Sequence, residues 1–256
     1  MQTGFIQANG RNLEYQLFRP HQIDRPTLVF LHEGLGSVSM WGEFPARVAS
    51  STGCRTLVYS RYGYGQSEVF DAPRTVTYLH EEALQTLPQL LDKLEIDRPV
   101  LIGHSDGGSI SIIHAGGSNR GVSGLVLLAP HVFVEDISIE GVAKVLKAFE
   151  TLNLRQKIAK YHRDVETTFW GWCKIWMSPE FRSFNIEEYL AGIHCPVLAI
   201  QGMDDEHGTL AQLEAIRDQA AGDVDVLMLA DCRHSPHKDQ QSATLEAIVE
   251  FVSALP

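Results

Sequence analysis

The sequence lacks several features that would each indicate a particular class of protein. No apolar run approaches the ~20 residues that a membrane-spanning helix needs, and the N-terminal residues carry neither the basic nor the apolar segment of a signal peptide. Cysteine is scarce, and the four cysteines lie far apart, without a Cys-x-x-Cys pair that would suggest a zinc ribbon or a redox dithiol. These absences favour a reduced, cytoplasmic protein without a membrane partner.

Positive charge is also scarce. The 256 residues include 21 Lys and Arg against 32 Asp and Glu, so the formal net charge is -11. Because a negative surface repels a phosphate backbone, we expect no nucleic-acid partner. A composition that is 44% hydrophobic and 21% charged is typical of a folded globular chain, and the length predicts one large domain.

Short apolar runs alternate with helix-compatible stretches along most of the chain. The dipeptide Asn9-Gly10 separates two alternating segments and predicts a hairpin turn near the start. The runs after it are too short for helices and show no polar alternation, which favours parallel strands buried on both faces. They cover residues 27–31, 56–59, 100–103, 125–128, 197–200 and 226–229. This order predicts an α/β fold with a mostly parallel central sheet and helices on both faces.

One segment interrupts the alternation. Residues 132–193 contain no clear strand, but Val142, Val145 and Phe149 fit one face of an amphipathic helix, and several aromatic residues follow. We therefore predict a helical insertion, or cap, at residues 132–193. It would divide a single core domain into residues 1–131 and 194–256.

The sequence Gly103-His104-Ser105-Asp106-Gly107 carries the first chemical signal. It is a G-x-S-x-G pattern between a predicted strand and a helix-compatible stretch, the context of a sharp turn that exposes the serine hydroxyl. Ser105 would stand at the N-terminus of that helix, where free N–H groups favour the negative charge of an acyl-transfer intermediate. An ordinary glycine-rich turn can have the same sequence, so the interpretation needs partner residues elsewhere.

Such partners follow two later strands. A serine nucleophile needs a histidine base and a carboxylate that orients the base. Asp204 and Asp205 come directly after one predicted strand, and His234 and His237 come after the next. Ligands bind at the carboxyl ends of the strands in open α/β sheets, so we expect these side chains near Ser105.

These motifs, in the chain order serine, acid, histidine, resemble the α/β-hydrolase family with an inserted cap, and the resemblance spans essentially the whole chain. It implies an α/β-hydrolase fold and a catalytic triad of Ser105 as nucleophile, His234 as base and Asp205 as acid. Asp204 is the alternative acid, and His237 is the less favoured base.

The resemblance also implies an oxyanion hole built from two backbone N–H groups. One belongs to Asp106, directly after the nucleophile. The other lies in the loop Leu31-His32-Glu33-Gly34-Leu35-Gly36, which resembles the family's His-Gly-x-Gly sequence, and is assigned to Gly34 rather than Leu35. Glu33 departs from the family pattern because it stands at the usual first glycine.

Two further family landmarks are altered. Ser60 stands where the pattern Asp-x-x-Gly-x-Gly-x-Ser begins with aspartate, and Arg233 replaces the usual glycine before the histidine. The glycine-rich turn after Ser60 lacks the third glycine of a dinucleotide fingerprint and does not follow the first strand of a βαβ unit. We therefore expect a structural corner and no nucleotide cofactor there.

Six residues beside the predicted site or in the cap are candidates for substrate binding: Leu35, His104, His131, Trp170, Trp172 and Trp176. The tryptophans fit either an apolar acyl or aryl pocket or a small core of the cap itself. A short span of the cap, residues 144–163, also holds six basic residues: Lys144, Lys147, Arg155, Lys157, Lys160 and Arg163. They could receive an anionic substrate such as a coenzyme A thioester, or form a solvated face.

The triad predicts hydrolysis of a small-molecule carboxylic ester through an acyl-enzyme, without a metal or an organic cofactor. C–C bond hydrolysis of an aromatic ring-cleavage product, thioester hydrolysis and lactone opening use the same triad and stay open. A ligand-binding receptor with a slow triad is the alternative outside enzymes. The sequence leaves the oligomeric state open, a homo-oligomer included.

Overall fold

Eight strands form the single sheet that organises the fold. The computed structural model describes residues 1–19 and 25–255. The strands lie in the order β1-β2-β4-β3-β5-β6-β7-β8, with the bounds β1 Gln2–Ala8, β2 Arg11–Phe18, β3 Leu28–Leu31, β4 Thr56–Tyr59, β5 Val100–His104, β6 Gly124–Leu128, β7 Val197–Gly202 and β8 Val224–Leu229. The pairs β1–β2 and β2–β4 are antiparallel, and every other adjacent pair is parallel. The prediction of a mostly parallel sheet is confirmed.

The antiparallel start of the sheet is the hairpin expected at Asn9-Gly10. Both residues have positive φ, 49° and 72°, and Ala8 pairs with Arg11 across the turn. Two consecutive positive φ angles are what a tight two-residue hairpin loop requires. The four strands that follow are buried along their whole length, as expected for short apolar runs in a parallel sheet.

Helices cover both faces of the sheet. Outside the stretch between β6 and β7 they are α1 Phe44–Thr52, α2 Tyr78–Glu81, α3 Leu87–Lys93, α4 Asp106–Gly117, α8 Ala211–Gln219, α9 Pro236–Asp239 and α10 Gln241–Ala254, with a 3-10 helix at Val38–Trp41 and a π-helical turn at Glu82–Thr86. Residues of α1 and α10 share one buried cluster with the strands, and residues of α2 to α4 and α8 share the other. Successive β3 residues enter opposite clusters, as alternating side chains must. Among the described residues, no helix combines the length and apolar character needed to cross a membrane.

The chain between β6 and β7 is helical. It contains α5 Asp136–Thr151, α6 Leu154–Ala159, α7 Val165–Trp176 and two 3-10 helices, Glu180–Ser183 and Glu187–Gly192. This whole stretch is described, and its β structure is limited to one isolated bridge between Phe133 and Asn185. We call residues 132–193 the helical segment below.

Four hydrogen bonds fasten the helical segment to the glycine-rich corner and to the loop after β3, one of them from the Arg163 N–H to the carbonyl oxygen of Gly65 (2.7 Å). The Gly65 N–H donates to His162 Nδ1 (3.0 Å), and His162 Nε2–H donates to the carbonyl oxygen of Leu35 (2.9 Å). Thr168 Oγ1 donates to the carbonyl oxygen of Gly63 (2.6 Å). The corner predicted at residues 60–67 is therefore a docking point for this segment.

Candidate active site

Ser105 stands where β5 ends and α4 begins. Its backbone has φ 53° and ψ -116°, a conformation that costs a non-glycine residue about 1–3 kcal/mol. A Cβ at Gly103 would lie 2.2 Å from the carbonyl oxygen of Gly107, and one at Gly107 would lie 2.0 Å from that of Leu31. The flanking glycines therefore permit the sharp turn that holds the serine at the edge of the sheet.

Ser105, His234 and Asp205 form a continuous line of hydrogen bonds. Ser105 Oγ lies 3.0 Å from His234 Nε2, and His234 Nδ1 lies 2.9 and 3.1 Å from the two carboxylate oxygens of Asp205. Asp205 follows β7 and His234 follows β8, so the parallel sheet brings both side chains to the edge where β5 ends. The three residues that the motifs single out are thus in contact.

The Asp205 carboxylate is buried and ionised. Its side chain is 2% exposed, and it accepts hydrogen bonds from the His207 N–H (2.8 Å) and from Gln201 Nε2 (3.1 Å). Burial raises the pKa of Asp205, but the hydrogen bond and charge of His234 outweigh burial and lower it to about 2. Asp204, the alternative acid, is exposed, so the geometry favours Asp205.

Three further imidazoles surround that of His234. The ring centroids of His207, His104 and His131 lie 4.6, 5.3 and 5.5 Å from it. His104 Nε2–H donates to the backbone carbonyl of His234 (2.7 Å), and His131 Nε2–H to that of His207 (3.1 Å), because a carbonyl oxygen only accepts. Burial, followed by the charge of His234, lowers the pKa of His131 to about 4 and that of His207 to about 3. His237, the less favoured base, packs against His104.

This concentration of imidazoles and carboxylates does not amount to a metal centre. In the residues for which the structure gives positions, no group of three or more His, Cys, Asp or Glu side chains could hold a metal ion.

The residues expected to form the oxyanion hole, Asp106 and Gly34, both border the cavity at Ser105. Within the described part of the chain, neither backbone N–H donates a hydrogen bond, and the same holds for Leu35. Asp106 is the first residue of α4, where N–H groups have no helical acceptor. The N–H of Gly36 is already used within its loop. Asp106 and Gly34 can therefore offer their N–H groups to an oxyanion.

Glu33 stands where the family pattern usually has its first glycine. It connects the loop after β3 to the segment that carries His234. Its carboxylate oxygens lie 3.5 Å from His104 Nδ1 and 3.9 Å from Lys238 Nζ. Burial raises the pKa of Glu33, but Lys238 and His104 together bring it well below its usual range. Since His104 in turn binds the backbone of His234, the departure at Glu33 adds a link between two sides of the site.

Ser60, at the altered position of the glycine-rich corner, is hydrogen-bonded to a carboxylate from another strand. Ser60 Oγ donates to Glu14 Oε2 (2.7 Å) and accepts from the Val38 N–H (2.9 Å). Glu14 on β2 thus places a carboxylate beside this corner. Arg233 lies mostly in solvent, with its side chain 69% exposed.

A cavity of about 320 Å³ opens on Ser105. The helical segment supplies most of its apolar wall: Val142, Val145, Leu154, Ile158, Trp172 and Trp176. Of the six candidate substrate-binding residues, Leu35, His131, Trp172 and Trp176 line it. Met40 and His207 also line it, although nothing in the sequence assigns them to binding.

The other two candidates lie elsewhere, which corrects the prediction. His104 is 1% exposed and lies behind His234, whose backbone it holds. Trp170 is on another side of α7, where its Nε1–H donates to Glu166 (3.3 Å). Residues two apart on a helix point about 200° away from each other, so Trp170 and Trp172 cannot face the same cavity.

The six basic residues between positions 144 and 163 are all exposed, and none lines the cavity. Arg155 forms an ion pair with Glu166 on that outer surface. Of the residues that the structure describes, no lysine or arginine lines the cavity. The cavity therefore favours a neutral group over an anion.

Comparison with known proteins defines the class of this molecule. A profile of the alpha/beta hydrolase family matches residues 28–247, and the sheet order and helical layers agree with it. The chain belongs to the alpha/beta hydrolase family, as its motifs predict.

Two solved structures share the fold over nearly the whole chain. The enol-lactonase of Burkholderia xenovorans has a TM-score of 0.77 at 20% identity and covers 98% of this chain and 100% of its own. An esterase from Exiguobacterium antarcticum has a TM-score of 0.77 at 19% identity and covers 99% of this chain and 100% of its own. At these identities the likeness establishes the fold alone.

The curated relatives align over shorter stretches. A proline iminopeptidase of Saccharolobus solfataricus is 30% identical over 128 residues, which is 50% of this chain and 40% of that enzyme. The chain spans less than half the length of the curated proline iminopeptidases it matches, with 36%, 40% and 31% covered in three of them.

Proposed function

We propose that the protein is a serine hydrolase that cleaves small-molecule carboxylic esters through an acyl-enzyme. The proposal depends above all on one observation: the line from Ser105 Oγ through His234 to Asp205, with gaps of 3.0 and 2.9 Å, ends in a mostly apolar cavity. A neutral imidazole within hydrogen-bond reach of a serine is what activates its hydroxyl.

The reaction follows from these positions. Ser105 Oγ attacks the ester carbonyl carbon while its proton passes to His234 Nε2, and the N–H groups of Gly34 and Asp106 stabilise the carbonyl oxygen as it becomes an oxyanion. The intermediate collapses as His234 returns the proton to the leaving alcohol. A water molecule, deprotonated by His234, then releases the acid and restores Ser105. Asp205 fixes the imidazole and stabilises its cation throughout.

The cavity wall supports a neutral substrate with an apolar acyl or aryl group. We assign residues 132–193 as the cap over the site and residues 1–131 and 194–256 as the core domain. The outward direction of the six basic residues makes a solvated face the better interpretation of that charge. All four cysteines are free, which fits the proposed cytoplasmic setting, where thiols stay reduced.

Covalent labelling tests the nucleophile. A fluorophosphonate should form one stable adduct on Ser105, located by mass spectrometry of the proteolytic peptides, and Ser105→Ala should carry no adduct. An adduct on another residue, or none on the folded protein, would overturn the assignment.

A substrate panel tests the reaction class. Aryl acetates and octanoates should turn over repeatedly and faster than acyl-CoA thioesters, lactones, vinylogous diketones or N-terminal prolyl amides. Faster turnover of one of these alternatives would replace the ester assignment by that class. A single turnover at full occupancy would instead favour a ligand receptor with a slow triad.

A further inference from the structure

We propose that Arg61 is the positioning residue of the oxyanion hole, a role that rests on the proposed function of Ser105. Its guanidinium joins the loop that carries Gly34 to the helix start that carries Asp106. Arg61 belongs to the glycine-rich corner, 2% of its surface is exposed, and it does not border the cavity at Ser105. It therefore acts through the backbone and not on the substrate.

Arg61 first contacts the peptide unit between Glu33 and Gly34. The carbonyl oxygen of Glu33 and the N–H of Gly34 belong to the same amide. That oxygen accepts three hydrogen bonds: from His32 Nδ1 at 2.7 Å, from Arg61 Nη2 at 2.8 Å and from the Gly36 N–H at 3.0 Å. The Arg61 backbone N–H donates to His32 Nε2 at 3.1 Å, so the ring proton of neutral His32 is on Nδ1. That Nδ1–H therefore donates a hydrogen bond to the carbonyl oxygen of Glu33.

Three donors on one carbonyl oxygen have two consequences for the attached N–H. They fix the plane of the amide, so that the Gly34 N–H keeps one direction before any substrate arrives. They also withdraw electron density from the amide nitrogen, which makes its proton a stronger donor, and a guanidinium cation does this more strongly than a neutral group. A fixed donor that needs no reorganisation is what stabilises a developing oxyanion.

Arg61 also contacts the side chain of Asp106. Its carboxylate is 1% exposed, and Oδ2 accepts from Tyr78 Oη at 2.8 Å and lies 3.4 Å from both terminal nitrogens of Arg61. Tyr78 and Arg61 thereby hold the side chain of Asp106. Its backbone N–H, in the first turn of α4, donates no hydrogen bond within the described part of the chain. One guanidinium thus contacts both segments whose N–H groups would receive the oxyanion.

The guanidinium of Arg61 stays protonated although it is buried. Burial lowers the pKa of Arg61, but the surrounding Tyr64 and Asp106 more than offset burial, and the pKa stays above its ordinary value. The guanidinium also lies 4.7 Å from the Tyr64 ring centroid, within cation–π distance.

The experiment compares Arg61→Lys with Arg74→Lys. Lysine keeps the charge but cannot contact Glu33 and Asp106 together. Arg74 is the matched control because it also lies over the Tyr64 ring, while its hydrogen bonds among the described residues go to Tyr64 and Tyr62 and not to Glu33 or Asp106. On an aryl ester, Arg61→Lys should lower kcat about 10- to 100-fold with KM within about twofold. Arg74→Lys should leave both within about twofold.

A second readout does not depend on turnover. In the folded Arg61→Lys protein the backbone amide signal of Gly34, observed by NMR, should move upfield in both nitrogen and proton dimensions, and inhibition by an aryl boronic acid should weaken at least as much as kcat falls. An unmoved Gly34 signal together with a kcat within twofold of the parent would overturn the role of Arg61. Failure of the parent protein to label at Ser105 would overturn the proposed function instead, and the Gly34 signal would still decide the role of Arg61 in holding this amide.

If Arg61→Lys does not fold, Asp106→Asn tests the same connection from the other side. The substitution keeps the backbone N–H and removes the carboxylate that Arg61 contacts. It should lower kcat about 10-fold while KM changes little. A kcat equal to that of the parent protein would contradict the inference.

Discussion

Gly34 and Trp172 are in direct contact at the wall of the cavity that opens on Ser105. A Cβ built on Gly34 would lie 2.1 Å from Trp172 Nε1, a separation that no side chain can occupy. Residue 34 is therefore glycine because an indole from α7 lies against it, not because of a left-handed backbone. The helical segment and the loop after β3 set each other's position through this contact.

Gly34→Ala tests that contact. The added methyl group must displace the indole or the loop, so we expect the free energy of unfolding to fall by about 1–3 kcal/mol, with a loss of kcat because the Gly34 N–H moves. Urea unfolding and ester turnover measure the two effects. In a Trp172→Ala background the same substitution should cost less than about 0.5 kcal/mol, because the opposing atoms are gone.

Gly121→Ala is the matched control, since the nearest atom to a Cβ there is Arg98 Cγ at 3.6 Å, an ordinary contact. An equal cost at positions 34 and 121, or an unchanged cost in the Trp172→Ala background, would contradict the steric explanation.

Asp205→Asn tests the acid of the triad. An amide cannot stabilise the imidazolium cation and favours the wrong tautomer of His234, so kcat should fall by about 10⁴-fold. Asp204→Asn, one residue away and exposed, should leave kcat within about twofold. Steady-state kinetics on one aryl ester compares them, and similar losses in both variants would move the acid or divide its role.

The proximity of Ser105, His234 and Asp205 could be predicted because each of them follows a strand, and parallel strands bring their carboxyl ends to one edge. The family and the fold class, which follow from the same motifs, are confirmed. The choice between Asp204 and Asp205 was harder, since both follow β7 in a short loop. Only the direction of each side chain separates them, and that direction depends on hydrogen bonds to the backbone of the loop itself.

The cavity wall could be predicted only in part. Periodicity identifies α5 as amphipathic but does not reveal that Val142 and Val145 face Ser105, because this depends on how the helical segment docks. The misassigned Trp170 has the same cause, since an aromatic cluster in sequence divides over two sides of α7. Arg61 was unpredictable as well, because its partners lie on loops that approach it only in the folded chain.

Stability should depend on pH through His131. Its pKa is about 4 in the folded protein, chiefly because it is buried, and about 6.5 in an unfolded chain. Between these values the unfolded chain binds a proton that the folded chain does not, so stability falls as the pH drops from 6.5 towards 4. The contribution of this one residue to the slope is about 1.4 kcal/mol per pH unit.

His131→Gln removes that contribution, and urea unfolding at pH 7.5, 6.0 and 5.0 measures the change in slope. The exposed His194 is the control position for the loss of a histidine, so the change in slope is compared between His131→Gln and His194→Gln. A slope unchanged by His131→Gln would mean that His131 takes up its proton in the folded state too.

Chain-length preference should follow the size of the cavity. Val145 lines the cavity from α5, so Val145→Phe should occupy part of its volume. The value of kcat/KM for an octanoate ester should fall at least about 10-fold more than that for an acetate. Leu152→Phe is the control, because Leu152 lies on the same helical segment but is 66% exposed. Equal losses for both esters would place the acyl chain elsewhere.

The backbone conformation of Ser105 affects the stability of this protein. A serine at φ 53° has a strained backbone even without a ligand. Favourable contacts of the neighbouring residues offset the free energy of this strain. Glycine at this position would remove the strain, because it adopts positive φ at little cost, but it would also remove the proposed nucleophile. The hydroxyl that the proposed reaction needs therefore lowers the stability of the fold, and contacts elsewhere in the core must offset that cost.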